Sequence, residues 1–229
     1  MSEFAVSKEV ASKAVASNVA NPNDGRSAFE MDVGGATRRS MEHSQPLLTT
    51  ERLVLRRLVP GDASDLAELA GAVEVASMAG HVPYPLSLDA AREWIADVSH
   101  GDNRRCAMAI LRRDRDDQER FLGVCGFAMD APGSASIGYF IGRPYWGKGY
   151  ATEAVRALIG YCITSAAPTT LAASHFLGND ASARVLEKLG FVLVGSTHGW
   201  CPVRRLDLPA LRYSLDLPPA RQATETTSS

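Results

Sequence analysis

Between Trp146 and Thr152 the chain reads WGKGYAT, two glycines one residue apart just ahead of Val155, Leu158, Ile159 and Cys162, which fall at helical spacing. A glycine-rich turn that opens a helix lets the backbone bend tightly and approach a ligand. The unpaired amides of the helix start add the positive end of its dipole. This pattern predicts phosphate binding through Gly147, Gly149 and the amides that follow. A structural turn fits equally well, because glycines are common where a chain enters a helix. The spacing matches neither GxxxxGK[ST] nor GxGxxG, since no glycine stands three positions beyond Gly149, so nucleotide hydrolysis and dinucleotide binding both lose ground.

A second pattern begins at Asn179. Asn179 and Ser182 form an N-x-x-S helix start, with Ser182, Val185, Leu186 and Leu189 on one inward stripe and Gly190 as a left-handed stop. His198 and Cys201 give a lone H-x-x-C without further ligands, so no metal site is expected.

The elements that must position these residues are legible as a mixed α/β layer fold. Residues 52–58 alternate as a strand with Leu53 and Leu55 on one face, and Pro60-Gly61-Asp62 ends it and offers Asp62 as a helix cap. A second helix follows Ser87, with Leu88, Ala91, Ile95 and Val98 near helical spacing. Three apolar runs, 106–111, 121–127 and 136–141, read as an antiparallel meander, followed by the helix after Gly149 and a strand at 170–174. The helix from Asn179 leads into a strand at 191–194, and 211–217 closes the sheet.

Around this domain, 47–217, the composition changes. Residues 1–46 contain no Leu, Ile, Trp or Tyr and are expected to be disordered or weakly structured, and 218–229 should be a flexible tail. The 24 basic and 26 acidic side chains leave a net charge of −2, which gives no bulk footprint for nucleic acid. The four cysteines stand far apart without a CxxC pair, no apolar run approaches membrane-spanning length, and the N-terminus lacks a signal-peptide core. A cytoplasmic chain with no membrane partner is the expectation, as a monomer or homodimer.

Four segments, in order, carry a resemblance to a known family: LTTERLVLRRL (48–58), HVPYP followed by LDAAREWI (81–95), YFIGRPYWGKGYATEAV (139–155) and NDASARVLEKLGF (179–191). The chain resembles the GNAT superfamily of acetyl-CoA-dependent N-acetyltransferases, in particular its RimJ/RimL-like (ribosomal-protein N-acetyltransferase-like) branch. The resemblance implies a central, mostly antiparallel sheet with a splayed parallel strand pair and flanking helices. The superfamily's pyrophosphate motif falls on Trp146, Gly147, Lys148, Gly149, Tyr150 and Ala151, with Trp where Gln or Arg is usual, a departure frequent in this branch. Backbone amides from Gly147 to Thr152 must then do most of the phosphate binding, with Lys148 adding a solvent-screened charge. Trp146 and Tyr150 read equally as packed aromatics or as ligand contacts, and Glu153 as a residue that compensates the helix dipole.

The resemblance further implies that acetyl-pantetheine lies between the strand ending at Ile141 and the one at 170–174, with Ile141 using its main chain. Asn179 borders the cofactor, and Ser182 faces the acetyl-CoA sulfur, where its hydroxyl serves as a cap, as the general acid, or as both. No general base stands out among His81, Tyr84, Glu93, His175 and His198; His175, closing its strand beside the cleft, is the preferred candidate. An α-amino group, pKa about 7.7–8.0, keeps on the order of a tenth of its molecules uncharged at neutral pH, whereas lysine, about 10.4, keeps far fewer. The lack of a base therefore points to an α-amine or another low-pKa amine as acceptor, a peptide N-terminus or a small molecule. The other reading is a non-catalytic acyl-CoA-binding or interaction module of the same fold.

Overall fold

A computed structural model describes residues 46–80, 82–99, 104–113 and 118–218. The expected extension 1–46, apart from Pro46, and the tail 218–229, apart from Pro218, lie outside the described residues, as does His81.

Strands β1 (Pro46–Thr49) and β2 (Leu53–Arg57) form an antiparallel pair and lead, through a 3-10 turn at Pro60–Asp62, to helices α1 (Ala63–Gly71), α2 (Val73–Ala76) and α3 (Leu88–Ser99). The meander follows as β3 (Arg105–Arg113), β4 (Glu119–Ala131) and β5 (Ser134–Ile141), antiparallel throughout. Then come α4 (Tyr150–Ser165), β6 (Thr170–Phe176), α5 (Asp180–Lys188), β7 (Val192–Cys201) and β8 (Leu206–Asp216). Two elements go beyond the sequence reading. PLLT at β1 is too short to show a period, and four-residue α2 is shorter than one full apolar repeat.

The eight strands make one sheet in the order β1-β2-β3-β4-β5-β6-β8-β7. Alternation along β2 explains its two covers. Leu53 and Leu55 pack with Met108, Ile110 and Leu122 against Val155, Leu158 and Cys162 of α4 and Leu186 of α5. Val54 faces the opposite layer with Leu66 of α1 and Ala91 and Ile95 of α3. Burial on both faces makes the strands nearly continuous apolar runs, which is why helical and strand segments are separable mainly by length.

Two expectations are corrected. The last strand does not close the sheet: β8 inserts between β6 and β7, which leaves β7 at the edge. Asp62 makes no side-chain cap on α1. Its carboxylate instead takes Nη1 and Nη2 of buried Arg56 at 2.8 and 2.7 Å and the Val59 amide at 2.9 Å. A buried guanidinium needs that bidentate partner more than the helix start needs a side-chain cap.

One interruption of the sheet matters for function. β5 and β6 run parallel and pair only through Ser134↔Thr170, Ala135↔Leu171 and Ser136↔Ala172. Beyond those pairs β5 continues to Ile141, held by β4 on its other side, and β6 continues to Phe176, held by β8. No ladder pair joins 137–141 to 173–176 among the described residues, so the two strands part toward their C-terminal ends.

Candidate active site

The mouth of α4 opens next to that gap. Gly142 leads into a 3-10 turn, Arg143–Tyr145, and Trp146 (φ −64°, ψ 157°) and Gly147 (φ +74°) form the central pair of a tight turn. Gly149 (φ +81°) is the helix N-cap, in the left-handed region that only glycine enters without strain. The first intrahelical bond runs from the Glu153 amide to the Gly149 carbonyl at 3.1 Å, so the amides of Tyr150, Ala151 and Thr152 have no partner inside the helix. No side chain caps them. A Cβ on Gly147 would meet nothing within 4 Å, so the turn presents open backbone to solvent. This fits a diphosphate: open amides at a helix dipole's positive end, next to a strand gap for the arm that follows.

The cradle is braced from the far end of the domain. Arg52, in the β1–β2 turn, bonds the Lys148 carbonyl through Nη1 at 3.0 Å and the Glu153 carboxylate through Nε at 2.7 Å and Nη2 at 2.6 Å. Its guanidinium also lies 4.8 Å from the centre of the buried Tyr150 ring. Thr50 Oγ1 and the Arg52 amide donate to the same Glu153 carboxylate at 2.6 and 3.0 Å. Partial burial works against the Glu153 charge, but these donors outweigh it and hold the carboxyl below its ordinary value. Glu153 is thus a structural anion beside the dipole. A cavity of about 520 Å³ adjoins this brace, lined by Glu51, Arg52, Gly149, Thr152, Glu153, Arg156 and Lys188.

The other expected residues take specific places. Trp146 is 47% exposed and donates its indole N–H to the Ile141 carbonyl at 2.5 Å, so that main-chain group of Ile141 is already engaged. Tyr150 is packed in the core. Lys148 bends back onto its own loop, with Nζ 3.1 Å from the Pro144 carbonyl and 5.8 Å from the Tyr145 ring centre. Asn179 caps α5, its Oδ1 accepting the Ser182 amide at 3.1 Å. Ser182 Oγ is not used in the cap; it lies 2.8 Å from Tyr139 Oη.

His175 is buried on β6, with Nδ1 2.9 Å from the Phe176 carbonyl and Nε2 3.4 Å from Tyr213 Oη. It is turned into the fold, unlike the base the sequence suggested. Glu93 and His198 are exposed, on α3 and edge strand β7, and do not converge with it. Among the described residues no three His, Cys, Asp or Glu side chains gather as for a metal ion.

Arg52 and Tyr139 escaped the sequence reading. Arg52 reaches a helix 101 residues away, for which no local pattern exists. Tyr139 did leave a signal, because it alternates with Ile137 and Ile141 on the face that packs under α4 and α5.

Comparison with known proteins agrees with this geometry. The model of the acetyltransferase (GNAT) domain family matches residues 52–192, more than half of the chain. The uncharacterized N-acetyltransferase p20 of Bacillus licheniformis is 33% identical over 150 residues, 63% of this chain and 81% of p20. Among solved structures, the microcin C7 self-immunity acetyltransferase MccE in complex with acetyl-CoA and AMP superposes with a TM-score of 0.62 at 21% identity, covering 73% of this chain and 94% of MccE. RimL, the ribosomal L7/L12 α-N-protein acetyltransferase in complex with coenzyme A, gives 0.64 at 17%, covering 76% and 98%. With an open helix mouth beside parted strands and a family match spanning both, the chain belongs to the GNAT acetyltransferases and is an N-acetyltransferase with acetyl-CoA as co-substrate.

Proposed function

We propose that this enzyme acetylates a low-pKa amine, a protein N-terminal α-amino group or a small-molecule amine, by direct attack on the thioester, with Ser182 as general acid. The observation that carries the reading is the hydroxyl of Ser182, left outside its own helix cap and facing the β5 wall of the strand gap. In this reading the amides of Gly147 to Thr152 hold the diphosphate. Ile141, Trp146 and Asn179 border the arm that enters the gap, and Lys148 and Tyr150 support the turn.

The amine nitrogen attacks the acetyl carbon and the C–S bond breaks. The Ser182 Oγ proton passes to sulfur, and the proton lost by nitrogen returns through solvent to Ser182. No acyl-enzyme on cysteine is needed. Burial pushes the thiols of Cys106, Cys125 and Cys162 up, that of Cys162 to about 12, away from the thiolate that a nucleophile requires. The inward turn of His175 supports an acceptor that sheds its own proton near neutrality. RimL's action on an α-amine supports the same acceptor class. Four free cysteines fit a reducing cytoplasm, and no helix among the described residues is long and apolar enough to cross a membrane.

The test is thiol release from acetyl-CoA across a panel of peptides, amino acids, polyamines and aminoglycosides. Saturable release with an α-amine, slowed roughly 100-fold in kcat by Ser182→Ala with KM for acetyl-CoA little changed, is the expected result. Binding of acetyl-CoA without amine-dependent release would instead identify a binding module, and loss of affinity rather than turnover in Ser182→Ala would remove the acid role.

A further inference from the structure

We infer that Tyr139 is a positioning residue for the Ser182 hydroxyl, directing its hydrogen toward the leaving sulfur; this rests on the acid role of Ser182 proposed above. Tyr139 stands on the part of β5 that has separated from β6, and Ser182 on the first turn of α5, which follows β6. Their oxygens, 2.8 Å apart, therefore span the two walls of the gap.

A serine hydroxyl has a single hydrogen, so its usefulness as an acid depends on which way its partner makes it point. If Ser182 donated to Tyr139, that hydrogen would be spent. The acid role requires the opposite direction, and the distances accommodate it. Tyr139 Oη lies 2.8 Å from Ser182 Oγ and 3.4 Å from the Ser182 main-chain carbonyl, and its one hydrogen serves the acid role only when it goes to the nearer oxygen, Ser182 Oγ. Burial drives the phenol up to about 12, which keeps its proton in place through the neutral range.

With the Tyr139 hydrogen on Ser182 Oγ, the serine hydrogen is left free to turn into the gap. The amide of Ser182, tied to Asn179 Oδ1, fixes the turn on which the hydroxyl pivots. Tyr139 keeps its proton throughout and forms no bond to substrate.

The test is a double-mutant cycle on thiol release from acetyl-CoA, with water and the amine panel as acyl acceptors, alongside calorimetric binding of acetyl-CoA. Tyr139→Phe is expected to lower kcat about tenfold and leave KM and Kd for acetyl-CoA within twofold. In a Ser182→Ala background the same change is expected to have no further effect. An equal loss in both backgrounds, or a loss confined to KM, would overturn the inference while leaving Ser182 as the acid. If Ser182→Ala turned over like the parent, or the parent bound acetyl-CoA and released no thiol to any acceptor, the acid reading would fall and this one with it. Should Tyr139→Phe not fold, fluorotyrosine at position 139 keeps the shape and strengthens the donor. It is expected to change kcat at least twofold in the parent and not in Ser182→Ala, and an unchanged parent kcat would count against the inference.

Discussion

The guanidinium of Arg52 closes on the carboxylate of Glu153 at 2.6 Å, tying the turn between the first two strands to the first turn of the helix whose open amides are the proposed phosphate cradle. The same arginine holds the Lys148 carbonyl, so it sets both the anion beside the helix start and the path of the glycine turn. Arg52→Ala is expected to weaken acetyl-CoA binding several-fold and to cost about 1 kcal/mol of stability, since the arginine is 43% exposed and the pair is screened accordingly. Calorimetric titration and urea unfolding measure the two effects separately.

The pH dependence of that brace has a definite sign. The Glu153 carboxyl sits below its ordinary value when folded, so its contribution is complete above the unfolded value of about 4.3 and is lost as pH falls through the lower folded one. The stability difference between the parent and Glu153→Gln should be constant from pH 7 to about pH 5 and shrink in more acid solution. A difference that grew on acidification would contradict the hydrogen-bonded carboxylate.

Gly149→Glu tests the cradle. Position 149 needs φ +81°, and a Cβ there would stand 3.4 Å from Arg52 Nη2, before any carboxylate is added next to a bound diphosphate. Strain, bulk and like charge all act against the cofactor, and acetyl-CoA affinity is expected to fall at least tenfold with the far-ultraviolet circular dichroism unchanged. Unaltered affinity would move the diphosphate elsewhere.

The Arg56–Asp62 pair is structural. Both residues are buried, and Glu119 stands 3.7 Å from Arg56 Nε as a more distant second carboxylate. Burial disfavours the Arg56 charge, but the two carboxylates outweigh that and raise its pKa. Asp62→Ala should cost about 3 kcal/mol, because it leaves a guanidinium buried with its close partner gone. A Tm within a degree or two of the parent would refute this.

Cys106, Cys125 and Cys162 should resist a disulfide reagent such as DTNB in the native state. At pH 8 a thiol titrating at about 12 is ionised to the order of one part in ten thousand, and all three side chains are buried. Reaction of these thiols is expected only on unfolding in guanidinium, read as a step in absorbance. Rapid reaction in the folded protein would reopen cysteine as a nucleophile.

Much of this enzyme could be read from residues close together in the chain. The helix after Gly149, the Asn179 cap and the three-strand meander follow from periodicity, glycine conformation and side-chain capping, all forces acting over a few residues. The proposed phosphate cradle is legible for the same reason: its donors would be consecutive amides. The parting of β5 and β6 was expected only by family resemblance, since main-chain pairing carries no side-chain pattern to mark where it stops.

The tertiary structure alone decided the rest. Arg52 meets Glu153 and Tyr139 meets Ser182 because a sheet brings distant segments together, over separations of 101 and 43 residues at which sequence spacing carries no geometric information. The place of β8 inside the sheet and the burial of His175 are of the same kind. A strand's alternation says which residues share a face. Which neighbour covers that face, and hence whether an imidazole meets solvent or a carbonyl, depends on packing free energies summed over the whole domain.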